Sequence, residues 1–277
     1  MKYLGLIAGT LILGAGLAAF RLSAGEPFAS TLTRLVTVNA KALAALGCFV
    51  AMFQFAPKDY QRRAWALLGL GAALLAEADL SALLLGPAAS PGAIAITRGV
   101  IVAVANVATP LGMIMFARAL EVAGLDLAGS RGSRIAFYVA AVLVALVFAG
   151  PSAVRDFRAV VGGDFERLHQ VASDLGDIVA LALVAPLIYN VITLRGGTLL
   201  WPFVMLAAST VSWLCYDGVE LVGLWVGQGP TAVALKQGCR LWALMFLFVA
   251  GLSQRWALSA RAPAPVVGER EARAAAA

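Results

Sequence analysis

Residues 199–226 have the sequence LLWPFVMLAASTVSWLCYDGVELVGLWV, a run that is apolar almost throughout. The hydrocarbon core of a bilayer is about 30 Å thick, and about 20 apolar residues of helix cross it. The run therefore predicts a transmembrane helix. It also contains two acidic residues, Asp217 and Glu220, at positions where a charge in the membrane is costly.

The rest of the chain repeats this pattern. Hydrophobic residues make up 61% of the sequence and charged residues 13%, whereas charged residues are about a quarter of an ordinary soluble domain. We therefore predict an all-α polytopic membrane protein with about eight transmembrane helices. The predicted spans are 3–20, 35–56, 64–86, 94–117, 134–150, 171–193, 199–226 and 235–257.

The domain organisation is simple. No stretch outside the apolar segments is long enough to form a second core, so residues 1–257 are predicted to be a single membrane domain. Residues 258–277 are rich in Ala, Pro and charge and are predicted to be a disordered cytoplasmic tail. An alternative for segment 3–20 is a cleaved signal peptide, because small residues follow it at 23–25.

The loop charges predict the orientation. With a cytoplasmic C-terminus, twelve Lys and Arg residues lie inside and five lie outside, which fits the positive-inside rule. We expect a multi-pass protein of the inner (cytoplasmic) membrane. The outer basic residues are Arg21, Arg34, Arg155, Arg158 and Arg167.

The two halves of the chain show a partial internal repeat. A shift of about 138 residues places Ala95–Gly99 on Ala234–Gly238 and Asp79 on Asp217. Four helices in each unit would make repeats 1–120 and 134–257 parallel to each other. Chance similarity between helices rich in Ala, Leu and Gly is the alternative.

Ten ionisable residues lie inside the predicted spans, and the orientation above places all of them toward the extracytoplasmic side. Such residues face the protein interior or a wet cavity and usually have partners. The predicted ligand-binding residues are Asp79, Asp177, Asp217, Glu220, Arg240, Glu77, Asp174 and Lys236, and the other two charges are Lys41 and Arg98.

Spacing relates these charges to helix faces. Residues three or four apart share a face, so the pairs 174/177 and 217/220 form acidic faces and the pair 236/240 forms a basic one. The second half of the chain then has a surplus of two carboxylates, which would hold protons or bind a cation. Ion pairs that only fix helix register are the alternative.

Other chemistries find little support in the sequence. The three cysteines, Cys48, Cys215 and Cys239, form no C-x-x-C motif, and His169 is the only histidine. These residues predict no disulfide framework, metal site, haem or catalytic triad. No cofactor is predicted, and the scattered basic residues do not indicate nucleic-acid binding.

One stretch has a local resemblance. The segments PLIYN (186–190), LRGG (194–197), WP (201–202) and WLCYD (213–217) resemble the multi-helix membrane sensor modules found ahead of bacterial signalling domains. The resemblance implies sensing. Because only about twenty residues follow the last helix, signalling would then require a separate partner protein in the membrane or cytoplasm.

Three functions fit these observations. The first is a protein that binds or translocates a small solute or ion. The second is a non-catalytic sensor or assembly protein, and the third is a membrane enzyme acting on a lipid or periplasmic substrate. An enzyme is least favoured, because no nucleophile and base stand together in the sequence. The shape of a polar cavity would distinguish the three functions, according to whether it crosses the bilayer, ends blindly or opens sideways to lipid.

Overall fold

The computed structural model describes residues 2–85, 91–122, 131–193 and 200–259. Within these ranges the regular elements are helical, which confirms the all-α class. Eight α-helices are present there, together with a 3-10 turn at Phe165–Arg167. The helices are α1 (Lys2–Ser23), α2 (Phe28–Met52), α3 (Tyr60–Leu85), α4 (Pro91–Val122), α5 (Arg131–Val161), α6 (Leu168–Thr193), α7 (Leu200–Val226) and α8 (Pro230–Ser259).

Six of the eight described helices have the length and composition of membrane spans. In the described part of the chain, α1 to α5 and α8 are long and apolar enough to cross a bilayer. Many large apolar side chains on the outside of the bundle are exposed, such as Ile12, Val107 and Leu143. This surface suits a lipid solvent, and the chain is an integral, multi-pass membrane protein.

Helix α5 is longer than the sequence predicts. The apolar segment was expected to end at residue 150, but α5 runs through Pro151 to Val161. Proline is tolerated in membrane helices because neighbouring helices and side chains can satisfy the freed backbone groups. The extension places Arg155 and Asp156 on a helix within the bundle rather than in a loop.

Six helices form a closed ring. Around it, α2 packs on α3, α3 on α4, α4 on α6, α6 on α7, α7 on α8, and α8 on α2. Helix α1 lies outside the ring on α8, and α5 lies outside it on α6 and α7. The ring leaves space along its axis, and this space holds the candidate site.

The ring is partly consistent with the predicted repeat. Exchanging α2, α3 and α4 with α6, α7 and α8 converts the α2–α8 contact into the α4–α6 contact and the α3–α4 contact into the α7–α8 contact. The outer helices break the pattern, because α1 packs mainly on α8 whereas α5 packs mainly on α6. The repeat therefore stays a prediction.

The bundle has two distinct ends. At the charged end α1, α3, α5 and α7 finish, and at the opposite end these helices begin. At the opposite end the ring is filled by aromatic side chains. The Trp65 and Phe116 rings meet edge to face with their centroids 5.1 Å apart, and the Phe116 and Phe203 rings do so at 5.7 Å.

Small residues bring α2 and α8 close together next to this aromatic group. A Cβ atom added to Gly47 would lie 2.6 Å from the carbonyl oxygen of Phe248, so the two backbones touch at this point. Such close approach through small residues is typical of helix packing in membranes. It closes the ring around the opposite end.

The predicted disordered tail lies outside the described residues, apart from Leu258 and Ser259, which end α8. The side chains of Tyr189 and Asn190 also lie outside them, as do residues 194–199 of the stretch that resembles sensor modules.

The loop-charge bias predicts that the opposite end faces the cytoplasm. Alkaline phosphatase fused after residue 26 or residue 228 is expected to be active, and a fusion after residue 57 or residue 259 is expected to be inactive. A fluorescent protein fused at the same four positions should give the reverse pattern. Active phosphatase at residue 259 would contradict the orientation, although it would leave the ring and its charges unchanged.

Candidate functional site

The ring encloses a cavity of about 230 Å³. All six ring helices line it, whereas no described side chain of α1 or α5 does. The cavity is large enough to hold several water molecules. Its polar and charged lining residues are Lys41, Asp79, Arg98, Asn106, Thr109, His169, Gln170, Ser173, Asp174, Asp177, Ser209, Thr210, Tyr216 and Arg240.

The lining changes in character along the helix axes. On α4 the lining runs from Arg98 to Met113, which is about 22 Å at 1.5 Å per residue. The charges lie near the charged end, and the far part of the lining is formed by Leu68, Met113, Leu206 and Leu247. Leu68, Met113 and Leu206 also pack in the core cluster that contains Trp65, Phe116 and Phe203. The cavity therefore ends on an apolar floor.

An ion triad joins α2, α3 and α4. The ammonium group of Lys41 donates to Asp79 Oδ2 at 2.6 Å and to the Leu75 carbonyl oxygen at 3.2 Å. Arg98 Nη2 donates to Asp79 Oδ1 at 3.1 Å. Asp79 thus has a cation on each oxygen, and the triad has a net charge of plus one. The Lys41 side chain is only 9% exposed, so the charge is well removed from solvent.

A second network joins α5, α7 and α8. Glu220 accepts from Arg155 Nη1 at 3.0 Å and from the ammonium group of Lys236. Arg155 also binds Asp156 through Nε at 2.7 Å and Nη2 at 3.0 Å. Arg167 donates to the same carboxylate at 3.1 Å. Glu220 and Lys236 are therefore neutralised within the protein, and they do not line the cavity.

Arg155 and Asp156 were not predicted to belong to the charge cluster. Asp156 is 2% exposed, which makes it one of the most deeply buried acids among the described residues. The predicted span ends at residue 150, which left both residues in the loop that follows it. The signal that was available is that Ser152, Arg155 and Asp156 continue the helical spacing beyond this proline.

Three carboxylates form an acidic wall on α6 and α7. Asp174 and Asp177 line the cavity, and Asp177 lies within electrostatic range of Asp217 and Asp174. Asp217 is 3% exposed. In the ranges that the structure describes, one oxygen of Asp174 and one of Asp217 have no hydrogen-bond partner. This wall carries the acidic surplus that the sequence indicates for the second half of the chain.

Arg240 lies beside the same cavity and is only partly satisfied. Its Nη2 donates to the Tyr216 hydroxyl at 3.1 Å, and its guanidinium lies 5.2 Å from the centre of the Tyr216 ring. The ammonium of Lys236 lies 4.9 Å from that ring centre. The buried Nε atoms of Arg240 and Arg98 have no acceptor among the described residues. Two guanidinium groups at the cavity therefore retain a free donor.

A second cavity, of about 280 Å³, lies at the charged end and shares Asp79, Arg98 and Arg240 with the first. Its lining also includes Arg21 and Arg34, so four arginines surround one carboxylate. We call this second cavity the mouth. Arg21 pairs with Glu26 in the adjoining loop, and this hydrogen-bonded ion pair keeps the pKa of Glu26 below its ordinary value.

The structure separates the eight predicted site residues into groups. Asp79, Asp174, Asp177 and Arg240 line the cavity, whereas Asp217 is buried outside its lining and within electrostatic range of Asp177. Glu220 and Lys236 pair with each other outside the cavity. Glu77 is exposed on the outside of α3 and takes no part in either cavity.

Two further polar residues line the cavity. His169 lies in the first turn of α6, just before the predicted span 171–193 begins. Asn106 lies on α4, and its amide donates to the Ala172 carbonyl oxygen at 2.8 Å, which ties α4 to α6. Both residues add hydrogen-bonding groups to the cavity wall where α4 meets α6.

In the described ranges, no group of three His, Cys, Asp or Glu side chains is arranged to hold a metal ion. Comparisons of the chain with protein-family models, with curated proteins and with solved structures find no match. The candidate site is therefore defined by its geometry alone.

The ion triad predicts an order of stabilities. Asp79→Asn leaves the buried ammonium group of Lys41 without a counter-charge, and breaking a buried pair in this way costs about 3 kcal/mol. Lys41→Gln leaves Asp79 paired with Arg98, so this variant should lose clearly less stability than Asp79→Asn. The free energies of unfolding of the purified variants in detergent micelles, measured by denaturant titration, provide the check.

Glu77→Gln is the matched control, because it removes an exposed acid two residues before Asp79. Its stability should stay within about 0.5 kcal/mol of the parent, as is usual for surface substitutions. Equal stabilities for Asp79→Asn and Glu77→Gln would contradict the triad.

Proposed function

We propose that the protein binds a small charged organic solute from the extracytoplasmic side of the membrane. The observation that carries the proposal is the cavity in the ring, which has charged walls near the charged end and an apolar floor. Small-molecule sites are concave, with much apolar surface and a few placed polar groups that fix orientation. This cavity has both features.

The charge pattern supports binding rather than a purely structural role. In the ion triad Asp79 is paired with two cations, and in the second network Glu220 is also paired with two. The groups around the cavity are different, because Asp174, Asp217, Arg98 and Arg240 each have a buried atom without a partner among the described residues. Unsatisfied buried polar groups are costly, and a bound solute with its waters would satisfy them.

The mouth supports entry from the charged end. Its described lining holds four arginines and one carboxylate, Asp79, and this excess of positive charge attracts anionic groups to the opening. At the floor, Trp65 and Phe116 are fully buried. The blind floor favours binding over a continuous path through the bilayer in this conformation.

A second candidate function is carrier-type transport of the same solute. The observation that favours it is a set of buried polar atoms beyond the floor: Trp65 Nε1, Ser253 Oγ and Gln254 Nε2 have no partner within the part of the chain described. A rearrangement that opened the opposite end would hydrate these groups. Solute uptake into vesicles that contain the purified protein would distinguish a carrier from a binding protein.

The proposed access can be tested with a single cavity cysteine. In a parent with Cys215→Ala and Cys239→Ala, native Cys48 remains and is fully buried in the closed half of the bundle. A membrane-impermeant thiol reagent added outside right-side-out spheroplasts should leave this parent unlabelled. Adding Ser173→Cys, which introduces a thiol in the cavity wall, should give rapid labelling.

Binding is tested in the same protein by protection. Butylamine, butyrate and 4-aminobutyrate are added at millimolar concentration, and at least one of them should slow the labelling of Ser173→Cys. Labelling only after the membrane is permeabilised would contradict entry from outside. Labelling that none of the three solutes slows would overturn solute binding.

A further inference from the structure

We propose that the solute is a zwitterion, with an ammonium group held by the acidic wall and an anionic group held by Arg98 and Arg240. This inference deepens the proposed function and rests on it. It comes from the placement of opposite charges on different helices around one cavity. A site with both charges favours a ligand that carries both.

The acidic side of the cavity is suited to an ammonium group. Asp174 and Asp177 on α6 line the cavity, and buried Asp217 on α7 is within electrostatic range of Asp177. Asp174 also has Asp156, Glu220 and Arg155 within electrostatic range. Arg155 is already bound to two carboxylates, so it offsets only part of the negative charge of the acidic wall.

An aromatic ring stands beside these carboxylates. Trp213 lines the cavity four residues before Asp217 on α7, so the two share a helix face, whereas the Tyr216 ring already lies against the cations of Lys236 and Arg240. The face of an aromatic ring attracts cations, and the effect is largest where water is excluded. Carboxylates together with an aromatic face recognise an organic ammonium group.

The basic side is suited to a carboxylate or phosphate group. Arg98 and Arg240 line both the cavity and the mouth, so they stand at the passage between the two. Each retains a buried Nε–H without an acceptor among the described residues. Guanidinium groups bind carboxylate and phosphate through several parallel hydrogen bonds. Lys41 adds positive charge on the same side, although Asp79 neutralises part of it.

The counted charges support this division. Lys41, Arg98 and Asp79 leave one positive charge, and Arg240, which is within electrostatic range of both Asp79 and Asp177, adds a second between the two sides. Asp174, Asp177 and Asp217 place three negative charges on the acidic side when they are ionised. A solute with one charge would satisfy one side and leave the other unchanged, whereas a zwitterion satisfies both.

The experiment compares solutes that differ only in charge. Isothermal titration calorimetry on the unmodified protein in detergent micelles measures the affinity for ω-amino acids from glycine to 6-aminohexanoate. The alkylamine and the carboxylate with the same number of carbons serve as references. We expect one chain length to bind best, and to bind at least about tenfold more tightly than both references, because it forms two buried charge contacts.

Two variants assign the ends of the ligand. Asp177→Asn should reduce the affinity for the best ω-amino acid to about that of the carboxylate alone, and Arg240→Gln should reduce it to about that of the amine alone. Glu77→Gln is the control and should leave the affinity unchanged, because Glu77 lies outside both cavities.

Each outcome has a separate meaning. An amine or a carboxylate that binds as tightly as every ω-amino acid would overturn the zwitterion inference while solute binding stands. The absence of binding by all three classes would overturn the proposed function itself. The series on the unmodified protein decides between these results even if a variant fails to fold.

Discussion

The structure depends on the compensation of charge inside the membrane. A charge in hydrocarbon must find a partner or water, and this protein uses both solutions. Lys41 and Arg98 share the carboxylate of Asp79, and the three residues join α2, α3 and α4. Asp174, Asp177 and Arg240 line a cavity instead. The charged residues of the ring are therefore gathered at one end, away from the group formed by Trp65, Phe116 and Phe203.

Much of the fold could be predicted from the sequence. The eight apolar segments correspond to the eight helices because the thickness of the bilayer dictates their length. The i, i+3 and i, i+4 rule also placed the intramembrane charges on common faces. It indicated a basic face meeting an acidic one, and Lys236 does pair with Glu220. Local spacing is sufficient for these features.

Lateral packing is not encoded in local spacing, and the errors arise there. The sequence could not show that α4 contacts α6 or that α1 and α5 lie outside the ring. Glu77 and Asp79 are two residues apart, and the contacts decide that Asp79 faces the ring and Glu77 faces outward. Arg155 was not predicted as a cluster residue because the predicted span ended at residue 150, whereas α5 continues through Pro151. The pairing of Arg155 with Glu220, 65 positions away, follows only from the assembled bundle.

The central claim is that water enters the blind cavity from the charged end and stops at the apolar floor. Two native tryptophans mark these places, since Trp213 lines the cavity and Trp65 is fully buried at the floor. Fluorine NMR of the 5-fluorotryptophan-labelled protein in lipid nanodiscs measures the shift of each resonance when H2O is replaced by D2O. The account predicts a clear isotope shift for Trp213 and none for Trp65. A shift at both residues, or at neither, would contradict it.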